Sequence, residues 1–346
     1  MMGPMTGDYA SYGTDWQRAT DLAVKEINAA GGCNGNTFRT VPADDRADPQ
    51  EGVSAANQLV AQGIFALIGP IFSGVSLPVT EITERATVPT FIASSNPQIT
   101  ERGFRTVFRM AFRDDQAGPF DANTALKIMG AKTAVVIHDN SAFAKGLAEE
   151  FVKAFEAGGG RILSVEVITP GERDYTPTLT KVKGLNPDVV YYSGYFPEAG
   201  LLVKQGKELG IEKPGPGTGW LFGNSSYDPT FLKIAGDAAE GVLMGTWPSP
   251  ETDPNMADYL NAYRAEYNME PGALGHWGYD AVYVLCEAIK RAGTTDRDAV
   301  VEALHSPDFS YEGVSGQIKF DEKGDRTFPP LDVITVQDGK FTVYQG

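Results

Sequence analysis

The chain is poor in the residues that carry most metal and redox chemistry. Its 346 residues include 2 cysteines and 3 histidines. His138, His276 and His305 are too scattered for a zinc pattern, so no metal is expected. Cys33 sits in the turn Gly31-Gly32-Cys33-Asn34-Gly35, and Cys286 falls within a helix predicted over 279–291. Nothing in their spacing marks a redox pair, so both are expected as free thiols. Positive charge is also scarce, with 29 Lys and Arg against 45 Asp and Glu and a formal net charge of −16. Phosphate is bound by clustered Lys and Arg, which argues against nucleic acid and anionic membrane as partners. No apolar run approaches the roughly 20 residues of a membrane span, and this numbering contains no signal peptide. The chain opens on the loop Gly3-Pro4-Met5-Thr6-Gly7-Asp8, which would normally follow a strand. A leader and most of a first strand are therefore expected to precede it.

Catalytic signatures are missing as well. There is no G-x-S-x-G, G-x-x-x-x-G-K-[ST], H-E-x-x-H or G-x-G-x-x-G. Gly215-Pro216-Gly217-Thr218-Gly219-Trp220 lacks the last glycine in register and contains a rigid proline, so it reads as a loop. The acidic run Asp44-Asp45-Arg46-Ala47-Asp48-Pro49 lacks the length and glycine of a calcium loop and reads as a solvated turn. The expectation is a protein that is not an enzyme and needs no cofactor.

What is present is alternation. Hydrophobic residues at 42% and charged residues at 21% suit a soluble globular protein, and the length allows two α/β domains. Trp16, Ala19, Ala23, Ile27 and Ala30 keep helical spacing up to Gly31-Gly32. Strands are predicted over 38–42, 65–68, 90–92, 106–110, 134–137, 162–168, 189–192 and 242–247, with helices between most of them. The end of the chain reads as a hairpin turned at Asp338-Gly339. Alternating βα segments imply parallel sheets. Polar, Gly/Pro-punctuated breaks at 112–119, 248–250 and 321–325 suggest two lobes between which the chain passes three times.

The stretch 69–96 is the most informative. Gly69-Pro70 breaks an apolar strand, Ser73-Gly74 opens a helix ending near Arg85, and the next strand runs into Ala93-Ser94-Ser95-Asn96. Two parallel strands thus end in turns rich in hydroxyls and backbone N–H groups, one of them at a helix N-terminus. That suits an anion such as a carboxylate. It holds rather than transforms.

These segments resemble the periplasmic solute-binding proteins of ABC transporters, in the branch typified by leucine/isoleucine/valine-binding protein. The match runs through Gly3-Pro4-Met5-Thr6-Gly7, Tyr12-Gly13, Asp44-Asp45, Asp48-Pro49, residues 69–78, Asp115-Gln116, Gly118-Pro119, Tyr195, Pro197-Glu198-Ala199-Gly200, Ile234-Ala235-Gly236, Glu240-Gly241, Tyr279-Asp280 and Asp321-Glu322-Lys323-Gly324-Asp325. The resemblance implies an α/β type I fold of two doubly wound, Rossmann-like lobes joined by three hinge crossovers. Residues 1–117 and 250–321 would form one lobe, and 118–249 and 322–346 the other. It implies an extracytoplasmic or periplasmic monomer that closes on a small carboxylate-bearing ligand and hands it to ABC permease subunits. A sensing domain of a receptor or regulator, or a binder of an amide or urea-type solute, is the alternative. By the same resemblance Ser73, the Ala93 backbone and Ser95, with Ser94 beside them, hold the carboxylate. Tyr12, Phe143 and Tyr195 are aromatic pocket residues, and Trp277 is an apolar wall. The family's amino-acid binders carry an acid opposite the ligand ammonium, at the position of Ser225. Here the segment reads Gly223-Asn224-Ser225-Ser226-Tyr227-Asp228. A serine cannot neutralise an ammonium, so either Asp228 takes the role or the ligand is not a simple α-amino acid.

Overall fold

The computed structural model describes residues 1–211, 219–247, 253–327 and 331–345. The chain forms two compact units, Met1–Phe112 with Asp253–Phe328 and Arg113–Thr252 with Pro329–Gly346.

The first unit begins with β1 (Met2–Gly3), α1 (Ala10–Ala29), β2 (Ala43–Asp44), α2 (Pro49–Ala61), β3 (Leu67–Ile68), α3 (Ser73–Arg85), β4 (Thr90–Ile92) and β5 (Val107–Arg109). The second holds α4 (Asp114–Asn123), β6 (Thr133–His138), α5 (Ala142–Ala157), β7 (Arg161–Val167), α6 (Thr176–Leu185), β8 (Val189–Ser193), α7 (Phe196–Glu208), β9 (Gly219–Phe222), α8 (Pro229–Ala235) and β10 (Leu243–Thr246). The chain returns to the first unit with α9 (Ala257–Tyr267), α10 (Gly275–Ala292), α11 (Arg297–Leu304), β11 (Tyr311–Gly313) and β12 (Gly316–Ile318). It ends in the second with β13 (Asp332–Gln337) and β14 (Lys340–Val343).

In the first unit β1 pairs with β2, and β3, β4 and β5 pair in order, all parallel. The two groups approach at Gly69, where a Cβ would stand 2.1 Å from the Met2 carbonyl oxygen. Only glycine fits there. Helix α1 buries Trp16, Ala19, Ala23 and Ile27, as its spacing predicts, and stops before Gly31 and Gly32, both at positive φ. The second unit has one sheet in the order β14-β13-β10-β9-β8-β6-β7. Strands β6 to β10 are parallel and β13–β14 form the predicted hairpin. The order reverses at β6, with β7 on one side and β8 on the other, so the ends of β6 and β8 mark a switch point, where open α/β sheets take ligands.

Several expectations need correction. Cys33 and Cys286 are not free thiols; they form a disulfide with a Cα–Cα distance of 5.5 Å. Residues 38–42 are not a strand. The ladder from β1 reaches only from Val41, which accepts the Met1 N–H, to Asp45, which donates to Gly3, and residues 38–40 have no strand partner among the described residues. Gly219 and Trp220, read as loop, begin β9, while 212–218 and 248–252 lie outside the described residues. The acidic turn is not simply solvated. Asp45 is fully buried, and its neighbour Asp44 accepts from the Met5 N–H and the Thr6 hydroxyl. Burial, then the neighbouring Asp44 charge, pushes the Asp45 carboxyl up to about 7, against the hydrogen bond from Ala47. Residues 321–325, expected as a crossover, are anchored in the first unit: the Arg109 N–H donates to the Gly324 carbonyl and Asp325 pairs with Arg109.

The second unit's core contains a charge-bearing group without a counter-charge among the described residues. Tyr191 on β8 stacks on Phe151 of α5 with ring centroids 3.8 Å apart and donates its hydroxyl to Asp121 Oδ2 at 2.8 Å. Asp121 lies on α4 against Gly245 of β10, whose hypothetical Cβ would meet Oδ1 at 1.8 Å. Asp121 Oδ1 is buried with no hydrogen-bond partner among the described residues. Burial pushes this carboxyl up to about 8, with the Tyr191 hydrogen bond opposing, and the other acid near the pair is Asp114 on α4. A carboxyl whose folded pKa is raised contributes stability below its unfolded value near 4 that is lost as pH rises through about 8. The slope is at most about 1.4 kcal/mol per pH unit. Asp121→Asn should therefore gain on the parent steadily from pH 5 to pH 8.5 in urea denaturation; parallel curves would show that Asp121 titrates normally.

Candidate functional site

In the first unit the predicted anion site lies at the C-terminal ends of β3 and β4. Ser73 is the first residue of α3, and the preceding residue Phe72 makes no side-chain cap. Ser73 is thus not an ordinary N-cap. Its Oγ accepts the Asn96 N–H at 3.3 Å, and the hydroxyl proton has no acceptor among the described residues. Ser73, Ser94 and Ser95 are all buried, at 2%, 2% and 7% exposure. The Ser94 hydroxyl is spent on scaffold, donating to the Ile71 carbonyl at 2.9 Å and sharing a hydrogen bond with Ser76. The N–H groups of Ser94 and Ser95 and the Ser95 hydroxyl make no hydrogen bond among the described residues. Ala93 differs from expectation in kind. Its N–H donates to the Pro70 carbonyl at 3.2 Å, so its backbone offers a carbonyl acceptor rather than an anion donor. The Ser73 hydroxyl proton at an uncapped helix start and the backbone N–H groups of the turn after β4 form a donor set for an anion.

Tyr12 of α1 packs edge-on against Phe72 with centroids 5.8 Å apart, which places it beside Ser73. Trp277 is buried in the first turn of α10 rather than in a loop, and lies edge-on to Phe112 just after β5. Its approach is fixed by Asp15, which accepts the N–H groups of Gly272 and Gly275 at 2.7 Å each and the Tyr263 hydroxyl at 3.0 Å. Burial, then the Arg326 charge, drives His276 down to about 3, so its imidazole is neutral.

In the second unit the expected residues gather at the switch point. Asp139 accepts the Ser141 N–H at 2.8 Å and Ser141 caps α5 through the Ala144 N–H, which turns the chain after β6 and places Phe143 in the first helical turn. Tyr195 is the N-cap residue of α7, just after β8. The Phe143 and Tyr195 rings lie 5.3 Å apart, and both are buried. Ser225 follows β9, half-buried, and donates to Asn224 Oδ1 at 3.2 Å. No group of three or more His, Cys, Asp or Glu among the described residues could hold a metal ion.

A family model described as periplasmic binding protein matches residues 1–340. The chain belongs to the periplasmic binding protein family. A leucine-, isoleucine-, valine-, threonine- and alanine-binding protein of Pseudomonas aeruginosa is 34% identical over 100% of this chain and 88% of its own length. A solved leucine-binding protein, LivK, from Thermotoga maritima superposes with a TM-score of 0.91 at 31% identity, covering 99% of this chain and 96% of that one. A Rhodopseudomonas palustris solute-binding protein of an ABC transporter, solved with 3,4-dihydroxybenzoic acid, gives a TM-score of 0.87 at 25% identity over 98% of this chain and 93% of the other. Members of this periplasmic binding protein family bind solutes and do not transform them.

Sequence reasoning missed Arg109 and Asp325. Both are buried, and Arg109 contacts the carbonyls of Ser94 and Asn96 directly. A signal was present: an arginine in an otherwise apolar strand, Val107-Phe108-Arg109-Met110, must find partners when buried.

Proposed function

We propose that this periplasmic binding protein captures a small carboxylate-bearing ligand, an amino acid or a keto, hydroxy or aromatic acid, by lobe closure, and delivers it to the permease of an ABC importer outside the cytoplasm. The carrying observation is the unspent donor set of the Ser73 hydroxyl at the start of α3 and, after β4, the Ser94 N–H and the Ser95 N–H and hydroxyl. Ser73, Ser95 and the N–H of Ser94 hold the carboxylate, and the Ala93 carbonyl takes a donor on the ligand. Tyr12 and Trp277 supply apolar surface for the tail in the first unit, and Phe143 and Tyr195, with Ser225 after β9, supply the candidate ligand surface of the second. The disulfide supports an oxidising compartment, where such bonds persist. The amino-acid binders among the relatives support an amino-acid-like ligand, and the dihydroxybenzoate complex supports an aromatic one.

Titration calorimetry with leucine, 4-methyl-2-oxopentanoate and benzoate tests the reading, and at least one should bind. Ser73→Ala should weaken that acid by about 1–2 kcal/mol, the scale of one charge-assisted hydrogen bond. Unchanged affinity in the variant would remove Ser73 from the site.

A further inference from the structure

We propose that Arg109 and Asp325 are positioning residues for the anion-binding turn, setting the peptide planes of residues 94–96 so that their donors stay available to a bound carboxylate. This rests on the carboxylate reading above. Arg109 ends β5 and is wholly buried, and Asp325 is 4% exposed. A buried ion pair is a poor source of stability, because desolvating both charges offsets their attraction. This pair instead holds backbone. Arg109 Nε donates to Asp325 Oδ1 at 2.7 Å. Nη1 donates to the Ser94 carbonyl, and Nη2 to the Asn96 carbonyl at 3.1 Å and the Thr100 hydroxyl oxygen at 2.9 Å. Thr100 donates in turn to Asp325 Oδ2 at 2.9 Å, closing the ring.

The C=O and N–H of a trans peptide point in opposite directions. With the Ser94 carbonyl turned to Arg109, the Ser95 N–H points away from the guanidinium. The Asn96 carbonyl held by Nη2 belongs to the next peptide, shared with Pro97, which has no N–H. That bond instead pins the Asn96 residue, whose own N–H donates to Ser73 Oγ, occupying that oxygen as acceptor and leaving its proton to be donated. Two donors of the turn therefore depend on an arginine that need not touch the ligand. The planar fork matters more than the charge, since a lysine carries a single point donor on a flexible stem.

The test compares parent, Ser73→Ala, Arg109→Lys and Thr100→Val. Each is titrated with leucine, 4-methyl-2-oxopentanoate and benzoate, and with leucinamide and benzamide, well below its melting temperature. Thr100→Val keeps the side-chain shape and removes the hydroxyl between guanidinium and carboxylate, so it serves if Arg109→Lys does not fold. Arg109→Lys should weaken the bound acid at least roughly tenfold and Thr100→Val about threefold, the scale of one or two hydrogen bonds. The preference for acid over amide should shrink in both. A lower melting temperature with an unchanged acid-to-amide preference would assign the pair to stability alone and overturn the proposal. If Ser73→Ala weakens binding while Arg109→Lys and Thr100→Val do not, positioning fails and the carboxylate reading stands. If Ser73→Ala also has no effect, the carboxylate reading has failed and takes the proposal with it.

Discussion

Replacing Cys33 and Cys286 by alanine should lower the melting temperature of the first unit by roughly 5–10 °C. The bridge ties the turn after α1 to the middle of α10, two helices of the same unit, across a sequence separation of 253. The closed loop contains the whole 113–252 excursion into the second unit, so its opening releases a large amount of chain entropy in the unfolded state. For a loop of this size the entropic model gives about 5.5 kcal/mol, and native disulfides typically deliver about 2–5. Both cysteines are buried, Cys33 at 0% and Cys286 at 3% exposure, so the alanine pair also removes packed sulfur. Heating the parent with and without a thiol reductant separates the two effects. A parent whose first transition is unmoved by reductant, and a double variant that melts with it, would show that the bridge contributes nothing.

The disulfide also shows where sequence reasoning stops. Cysteines 253 positions apart carry no spacing signal, and only the packing of α1 against α10 brings them together. The fold itself was largely legible, because hydrophobic periodicity and Gly stops are local. Trp16, Ala19, Ala23 and Ile27 declare α1, and Asp338-Gly339 declares the terminal hairpin. Where pairing decides, local pattern misleads. Residues 38–40 have the residues of a strand without a strand to pair with among the described residues, and β9 is a four-residue strand entered from a glycine that reads as loop. In the site, Ser73 and Ser95 were legible as hydroxyls at a turn. That Ser94 spends its hydroxyl on Ile71, or that Ala93 offers a carbonyl, depends on which way each group turns. Arg109 and Asp325 stand 216 residues apart, and their pairing is as invisible to local pattern as the disulfide.

Carboxylates that carry no ammonium should bind this protein more tightly than leucine does, by up to about a thousandfold. An ammonium left without a counter-charge in a desolvated site costs several kcal/mol, and about 4 kcal/mol is three decades of affinity. Ser225 supplies a dipole and no charge, and it already donates to Asn224 Oδ1. Three acids that could take the role by chemistry have other work. Asp228 caps α8 through the Thr230 N–H at 2.7 Å, and withdrawing such a cap costs about 1 kcal/mol. Glu198 accepts the Gly171 N–H at 3.1 Å in the first turn of α7. Asp280 accepts the N–H groups of Val314 and Ser315 and the Ser315 hydroxyl. The Ala93 carbonyl refines the order, because it has no donor among the described residues and asks for one from the ligand. A 2-hydroxy acid supplies that donor without a charge, whereas a keto acid supplies none. Calorimetry should therefore rank 2-hydroxy-4-methylpentanoate above 4-methyl-2-oxopentanoate, and both above leucine. Ser225→Glu should narrow or reverse the gap by restoring a counter-charge. Tight leucine binding by the parent, with negligible binding of both ammonium-free acids, would mean that Asp228 leaves its cap or another acid meets the ammonium, and the preference argued from Ser225 would fall.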